Sequence, residues 1–194
     1  MEKNRLEAFS DGVLAIVITI MVLEMKVPHG DTLESIRPVL PVFLGYVLSF
    51  VYLGIYWNNH HHMLQTCRRV TGSILWANLH LLFWLSLVPL ATGWLGETMP
   101  AQGPAALYGV VMLMAGIAYF ILQQRIIADQ GADSLLARAV GSDWKGRMSP
   151  PLYALAIGGA FLSAWISVGL YVLVALLWLV PDRRIERVLA EAER

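Results

Sequence analysis

Long apolar runs, each closed by a polar or Gly/Pro-rich segment, alternate along the chain. The first covers residues 6–25 and ends before Pro28 and Gly30, since proline disfavours helix at the residue before it. A polar loop spans 26–38. The second run covers 39–67, with Pro41 near its start, where a missing N–H costs little. The third covers 74–95 and carries Pro89, which predicts a kink. A Gly/Pro loop over 96–104 leads to the fourth run, 105–128. Residues 129–146 form the longest polar stretch, and 134–140 within it read as a short interfacial helix. The last apolar block, 148–180, is too long for one crossing of a bilayer, which takes about 20 residues. Its weak point, Ile166-Ser-Val-Gly169, divides it into two helices. The pattern predicts an all-α integral membrane protein with six transmembrane helices. They form one unit over residues 1–182, with a short charged tail over 183–194.

Composition agrees. Hydrophobic residues make up 57% of the 194 and charged residues 14%, against about 45–50% and 25% in soluble domains. Six spans use on the order of 120 residues, which leaves loops and short tails but no soluble domain. Net charge is zero and there is no polybasic tract, so nucleic acid is not an expected partner. The single cysteine, Cys67, excludes an intrachain disulfide and a thiolate cluster. The charged N-terminus resembles the start of a signal peptide, but Ser10-Asp11-Gly12 interrupts the apolar run behind it and no small-residue cleavage site appears. The first run therefore reads as a retained helix.

Charge sets the orientation. Six spans put both termini on one side, together with Lys3, Arg5, Arg68, Arg69, Arg125, Arg138, Lys145, Arg147, Arg183, Arg184, Arg187 and Arg194. Only Lys26 and Arg37 fall on the other. By the positive-inside rule both termini are cytoplasmic, in a multi-pass protein of the cell membrane. A five-span alternative would put the basic tail outside.

The first run holds the most informative pattern. Each helical residue advances by about 100°. With Ile16 at zero, Ile20 lies at about +40°, Leu23 at about −20°, Thr19 at about −60° and Gly12 at about −40°. These form one stripe. Ser10 and Asp11 fall at about +120° and −140°, towards the subunit's own bundle. A carboxylate near an apolar span needs a partner or a water-filled cavity. Candidate partners are Trp57, His61 and Asn78 on the second and third helices, and Arg5 has the cytoplasmic acidic groups within reach. By itself the stripe also suits lipid contact or packing.

The motif Arg5-x-x-x-Phe9-Ser10-Asp11-Gly12, followed by Ala-Ile-x-Ile-Thr-Ile and Leu-Glu, resembles the signature of the transmembrane protein 175 family of potassium channels. Trp57-Asn-Asn-His60-His61 is similar to that family's Trp-x-x-His-His pattern, and Asn78-Leu-x-Leu-Leu-Phe…Leu-x-Pro89 to its third helix. The resemblance covers residues 5–180. It implies a homotetramer with one six-helix repeat per chain and a central pore lined by the first helices. By position it implies that Ile16 is the narrow hydrophobic constriction, that Thr19 is the polar layer associated with potassium preference, and that Ile20 and Leu23 also line the pore.

No Thr-Val-Gly-Tyr-Gly filter occurs and no acidic ring falls on the stripe. A ring of isoleucines closes a pore by dewetting, and one hydroxyl layer offers few contacts. The expected function is therefore a modestly selective, potassium-permeable channel that passes other monovalent cations too. Its surroundings are the lipid bilayer, and it takes no cofactor beyond the permeant ion.

Other constellations add little. His60-His61-His62 cannot converge on one metal ion, because neighbours on a helix point about 100° apart. Such histidines more often sit at an interface or in a hydrogen-bond network, or titrate near neutrality. The tryptophans suit interface anchoring, and Gly158-Gly159-Ala160 suits close helix packing. Lys145 and Arg147 lie where lipid headgroups would, though two charges do not make a polybasic cluster. The rival readings are a secondary or proton-coupled carrier using Asp11 and the membrane histidines, and a histidine-rich membrane enzyme. The second lacks the several spaced histidine boxes it needs.

Overall fold

Proline and glycine place most of the helix ends. The computed structural model describes residues 2–131, 133–140 and 144–179. The tail expected over 183–194 lies outside them, with its four arginines. The described residues form eight helices: α1 (Lys3–Leu23), α2 (Leu40–Gln65), α3 (Gly72–Ser86), α4 (Val88–Thr98), α5 (Gln102–Gln130), α6 (Leu135–Val140), α7 (Trp144–Ala160) and α8 (Ala164–Leu179). A short 3-10 turn, Leu33–Ile36, lies in the first loop. Pro41 sits in the first turn of α2 and Pro89 in the first turn of α4. Pro89 has no N–H to give to the carbonyl four residues back. The third apolar run therefore breaks into α3 and α4 at Leu87, close to the expected kink. Gly131 closes α5 with φ 93°, a conformation L side chains rarely adopt.

Among the described residues, four segments are long and apolar enough to cross a membrane: Lys3–Leu23, Leu40–Gln65, Gly72–Thr98 and Gln102–Gln130. The described parts of α7 and α8 are shorter, at 17 and 16 residues. The chain is thus an all-helical, multi-pass membrane protein.

The hairpin between α7 and α8 turns at Phe161, Leu162 and Ser163, about one helical turn before the expected break at Ile166–Gly169. Both presumed breakers lie inside α8. Ser167 is buried, and its hydroxyl donates to the Ala156 carbonyl across the hairpin at 2.6 Å. A serine with a partner on the facing helix has no reason to compete with its own backbone.

α5 is the hub, packed against α3, α4, α7 and α8, while α1 lies against α2, α3 and α4. Small buried residues on α5, such as Ala105, Ala115 and Ala118, let its neighbours come close. The tightest approach on α4 is at Gly96, where an added Cβ would stand 2.6 Å from the Val42 Cα.

Hydroxyl groups of α2, α4 and α5 pair with one another inside the bundle. The Thr92 hydroxyl donates to the Val88 carbonyl at 2.7 Å, so its oxygen accepts from Ser49 at 2.6 Å. Ser49 in turn accepts from Tyr108 at 3.0 Å. This chain joins α2, α4 and α5, and Tyr52 adds α8 by donating to the Tyr171 carbonyl at 2.6 Å. At the end of the bundle beyond Leu23, Lys26 donates to Glu97 at 2.8 Å and ties the first loop to α4. That hydrogen bond raises the lysine's pKa above its ordinary value.

Candidate functional site

α1 has two faces of opposite character. Leu6, Ser10, Leu14, Val17 and Met21, spaced by three or four residues, are buried against α2, α3 and α4. On the other side Phe9, Gly12, Ile16, Thr19, Ile20 and Leu23 are at least partly exposed. Ile16 is 58% and Leu23 82% exposed. The stripe expected from helical geometry is thus the face that α1 turns away from its own bundle.

Thr19 has a specific geometry on that face. Its hydroxyl donates back to the helix, with the Ala15 and Ile16 carbonyls both at 3.0 Å. The one hydroxyl proton is directed inward, so the oxygen presents its remaining lone pairs to whatever faces the stripe.

The buried face is fixed by a directed hydrogen-bond chain. Ser10 donates to the Leu6 carbonyl at 2.8 Å. Its oxygen can then only accept, and it does so from Asn78 Nδ2 at 2.9 Å. This leaves Asn78 Oδ1 as the acceptor facing His60 Nε2 at 2.7 Å, so Nε2 carries the proton. Ser10, Asn78 and His60 are all buried and come from three different helices.

Asp11 is held separately. It lies exposed at the edge of α1 and accepts from the Trp57 indole N–H at 2.9 Å. It therefore does not enter the bundle interior beside Ser10. Of the expected partners, Trp57 reaches Asp11 and Asn78 reaches Ser10. His61 reaches neither: it is exposed, stacks on Trp57 with ring centroids 6.3 Å apart, and meets Gln65 Nε2 at 2.9 Å. His60, which the sequence placed only among histidines of an interface or hydrogen-bond network, takes the buried position. A signal for it exists in the spacing of Ser49, Leu53, His60 and Leu64, which repeats the buried face of α2. Arg5 is exposed and makes no ion pair among the described residues, whereas Lys3 lies 3.7 Å from Glu7.

The fold is a multi-helix membrane bundle whose N-terminal helix buries one face and leaves an apolar face with a single hydroxyl exposed. The comparisons give the family. The family model described as endosomal/lysosomal potassium channel TMEM175 matches residues 5–89. A potassium channel from Chryseobacterium sp. (strain P1-3) is 57% identical, over 98% of this chain and all of that protein. Another, from Streptomyces collinus, is 33% identical over 90% of each chain. The crystal structure of a lysosomal potassium-selective channel TMEM175 homolog from Chamaesiphon Minutus superposes with a TM-score of 0.79 at 31% identity, covering 93% of this chain and 98% of that one. The chain belongs to the TMEM175 family, a class of channels and not of enzymes.

Proposed function

We propose that the protein is a potassium-permeable, modestly selective cation channel in which four copies of α1 surround a central pore. In this reading each chain crosses the membrane six times, α3 and α4 together making one crossing, with both termini cytoplasmic. Lys3, Arg5, Arg68, Arg69, Arg125, Arg138, Lys145 and Arg147 then face the cytoplasm, and only Lys26 and Arg37 lie opposite. The observation that carries the reading is the exposed α1 stripe, Ile16-Thr19-Ile20-Leu23, opposite a face tied down by Ser10. The names of the relatives, potassium channels over nearly the whole length, point the same way.

Four Ile16 side chains on a common axis make the apolar constriction, which closes by dewetting and conducts on widening. Thr19 lies about one turn further along and offers an ion hydroxyl oxygens whose protons already point elsewhere. One such layer replaces only part of a hydration shell, so discrimination against sodium is modest. The Ser10–Asn78–His60 chain and the Asp11–Trp57 bond set the rotation of α1, and with it which residues meet the axis.

The test is potassium and sodium flux through purified protein in liposomes, combined with subunit mass. Unitary currents and a fourfold mass support the channel. Saturable flux coupled to a substrate or to protons, without unitary currents, would instead establish a carrier using Asp11.

A further inference from the structure

A cavity of about 610 Å³ lies between α2, α5 and α7, and no residue of α1 lines it. Its volume is within the range of small-ligand sites, about 300–1,000 Å³. Its walls change character along their length in the same direction on each helix. On α5 they run from Leu113 through Gly116 and Phe120 to Gln123 and Gln124, with Ile127 one turn beyond. On α7 they run from Tyr153 back to Arg147. From Leu113 to Gln124 is roughly 16 Å of helix. The cavity is thus greasy at one end and polar at the other, the end nearer Arg125 and Arg138. It also opens on the surface of the chain, where Phe120 is 57% exposed.

Two groups at the polar end have no hydrogen-bond or ion-pair partner among the described residues. Gln123 is only 6% exposed, yet its carboxamide has no hydrogen-bond partner among the described residues. Gln123 lines the cavity, so its amide is open to a partner there, and polar side chains within a membrane bundle usually face a partner or a water-filled space. Arg147 is exposed on the rim and forms no ion pair among the described residues. Beside it Lys145 Nζ lies 5.9 Å from the centre of the Trp178 ring, another wall of the cavity.

We propose that this cavity holds one acyl chain of an anionic phospholipid, with the phosphate at Arg147 and a glycerol ester carbonyl accepting from Gln123. The charge on the rim selects an anion, the length of apolar wall selects a chain, and the opening on the surface of the chain supplies it from the bilayer. The site is separate from the α1 stripe and does not depend on the pore reading.

Trp178 reports occupancy. Full-length protein is reconstituted with brominated-chain phosphatidylglycerol or brominated-chain phosphatidylcholine diluted into unbrominated phosphatidylcholine. The Trp178 contribution is the difference in quenching between the wild type and Trp178→Phe. It is expected to reach half its maximum at a mole fraction about fivefold lower for the anionic lipid. Arg147→Gln brings the two curves together. Gly116→Phe fills the cavity and lowers Trp178 quenching by both lipids. Gly116→Ala, whose methyl meets only the Tyr56 hydroxyl at 3.7 Å, retains the preference and controls for folding. Coincident curves in the wild type, or Trp178 quenching that survives Gly116→Phe in folded protein, would overturn the proposal.

Discussion

Asn78 on α3 donates to Ser10 on α1 across 2.9 Å, on the side of α1 that the bundle buries. The same amide accepts from His60 at 2.7 Å, so one side chain clamps three helices. Interhelical hydrogen bonds in membranes average only about 0.6 kcal/mol. Leaving buried groups unmatched costs more.

Asn78→Leu strands the buried His60 N–H. It is expected to destabilise the protein by about 1–3 kcal/mol, read as a lower midpoint of thermal unfolding in detergent. Adding His60→Leu removes the stranded group as well and recovers part of the loss. A double variant no more stable than Asn78→Leu alone would show that the two side chains do not act as a pair.

On the exposed face, Ile16→Asn wets the constriction and is expected to raise potassium leak in liposomes. Thr19→Val removes the hydroxyl layer with little change of shape and lowers potassium-over-sodium preference. If neither substitution changes permeation, α1 does not line the path.

Asp11→Ala breaks the bond to the Trp57 indole on α2. The yield of assembled oligomer, measured by mass, falls further than selectivity changes. A stable oligomer with altered selectivity would move Asp11 from a positioning role to the permeation path.

Gly96→Ala forces a Cβ to within 2.6 Å of the Val42 Cα, a contact that backbone must yield to relieve. Overpacking of this kind costs about 1–3 kcal/mol. Gly54→Ala, on α2, meets nothing within 4 Å and serves as the comparison. Thermal unfolding of the two variants side by side distinguishes close packing from a general intolerance of added methyls.

Cys67, two residues past the end of α2, is buried, and burial pushes its thiol above the ordinary range. Since the thiolate is the reactive form, maleimide labelling at neutral pH is expected to be slow in the folded protein. It becomes rapid and stoichiometric after denaturation, and mass shift checks both.

Apolar runs interrupted by proline and glycine determined the membrane class, the first four helical segments and the break near Pro89. Strict helical geometry likewise determined that Ile16, Thr19, Ile20 and Leu23 share one face, because a rise and rotation per residue is all that grouping needs. Tertiary structure decided how each face is turned relative to its neighbours. His60 and His61 are adjacent in sequence, yet one meets Asn78 and the other stacks on an exposed tryptophan. Asp11 and Ser10, also adjacent, part in the same way. The turn between α7 and α8 precedes the expected break, and Ser167, inside α8, has its acceptor on the facing helix. Periodicity sorts residues within one helix, but partners on different helices are chosen by how all the helices pack at once, and only the folded chain carries that information.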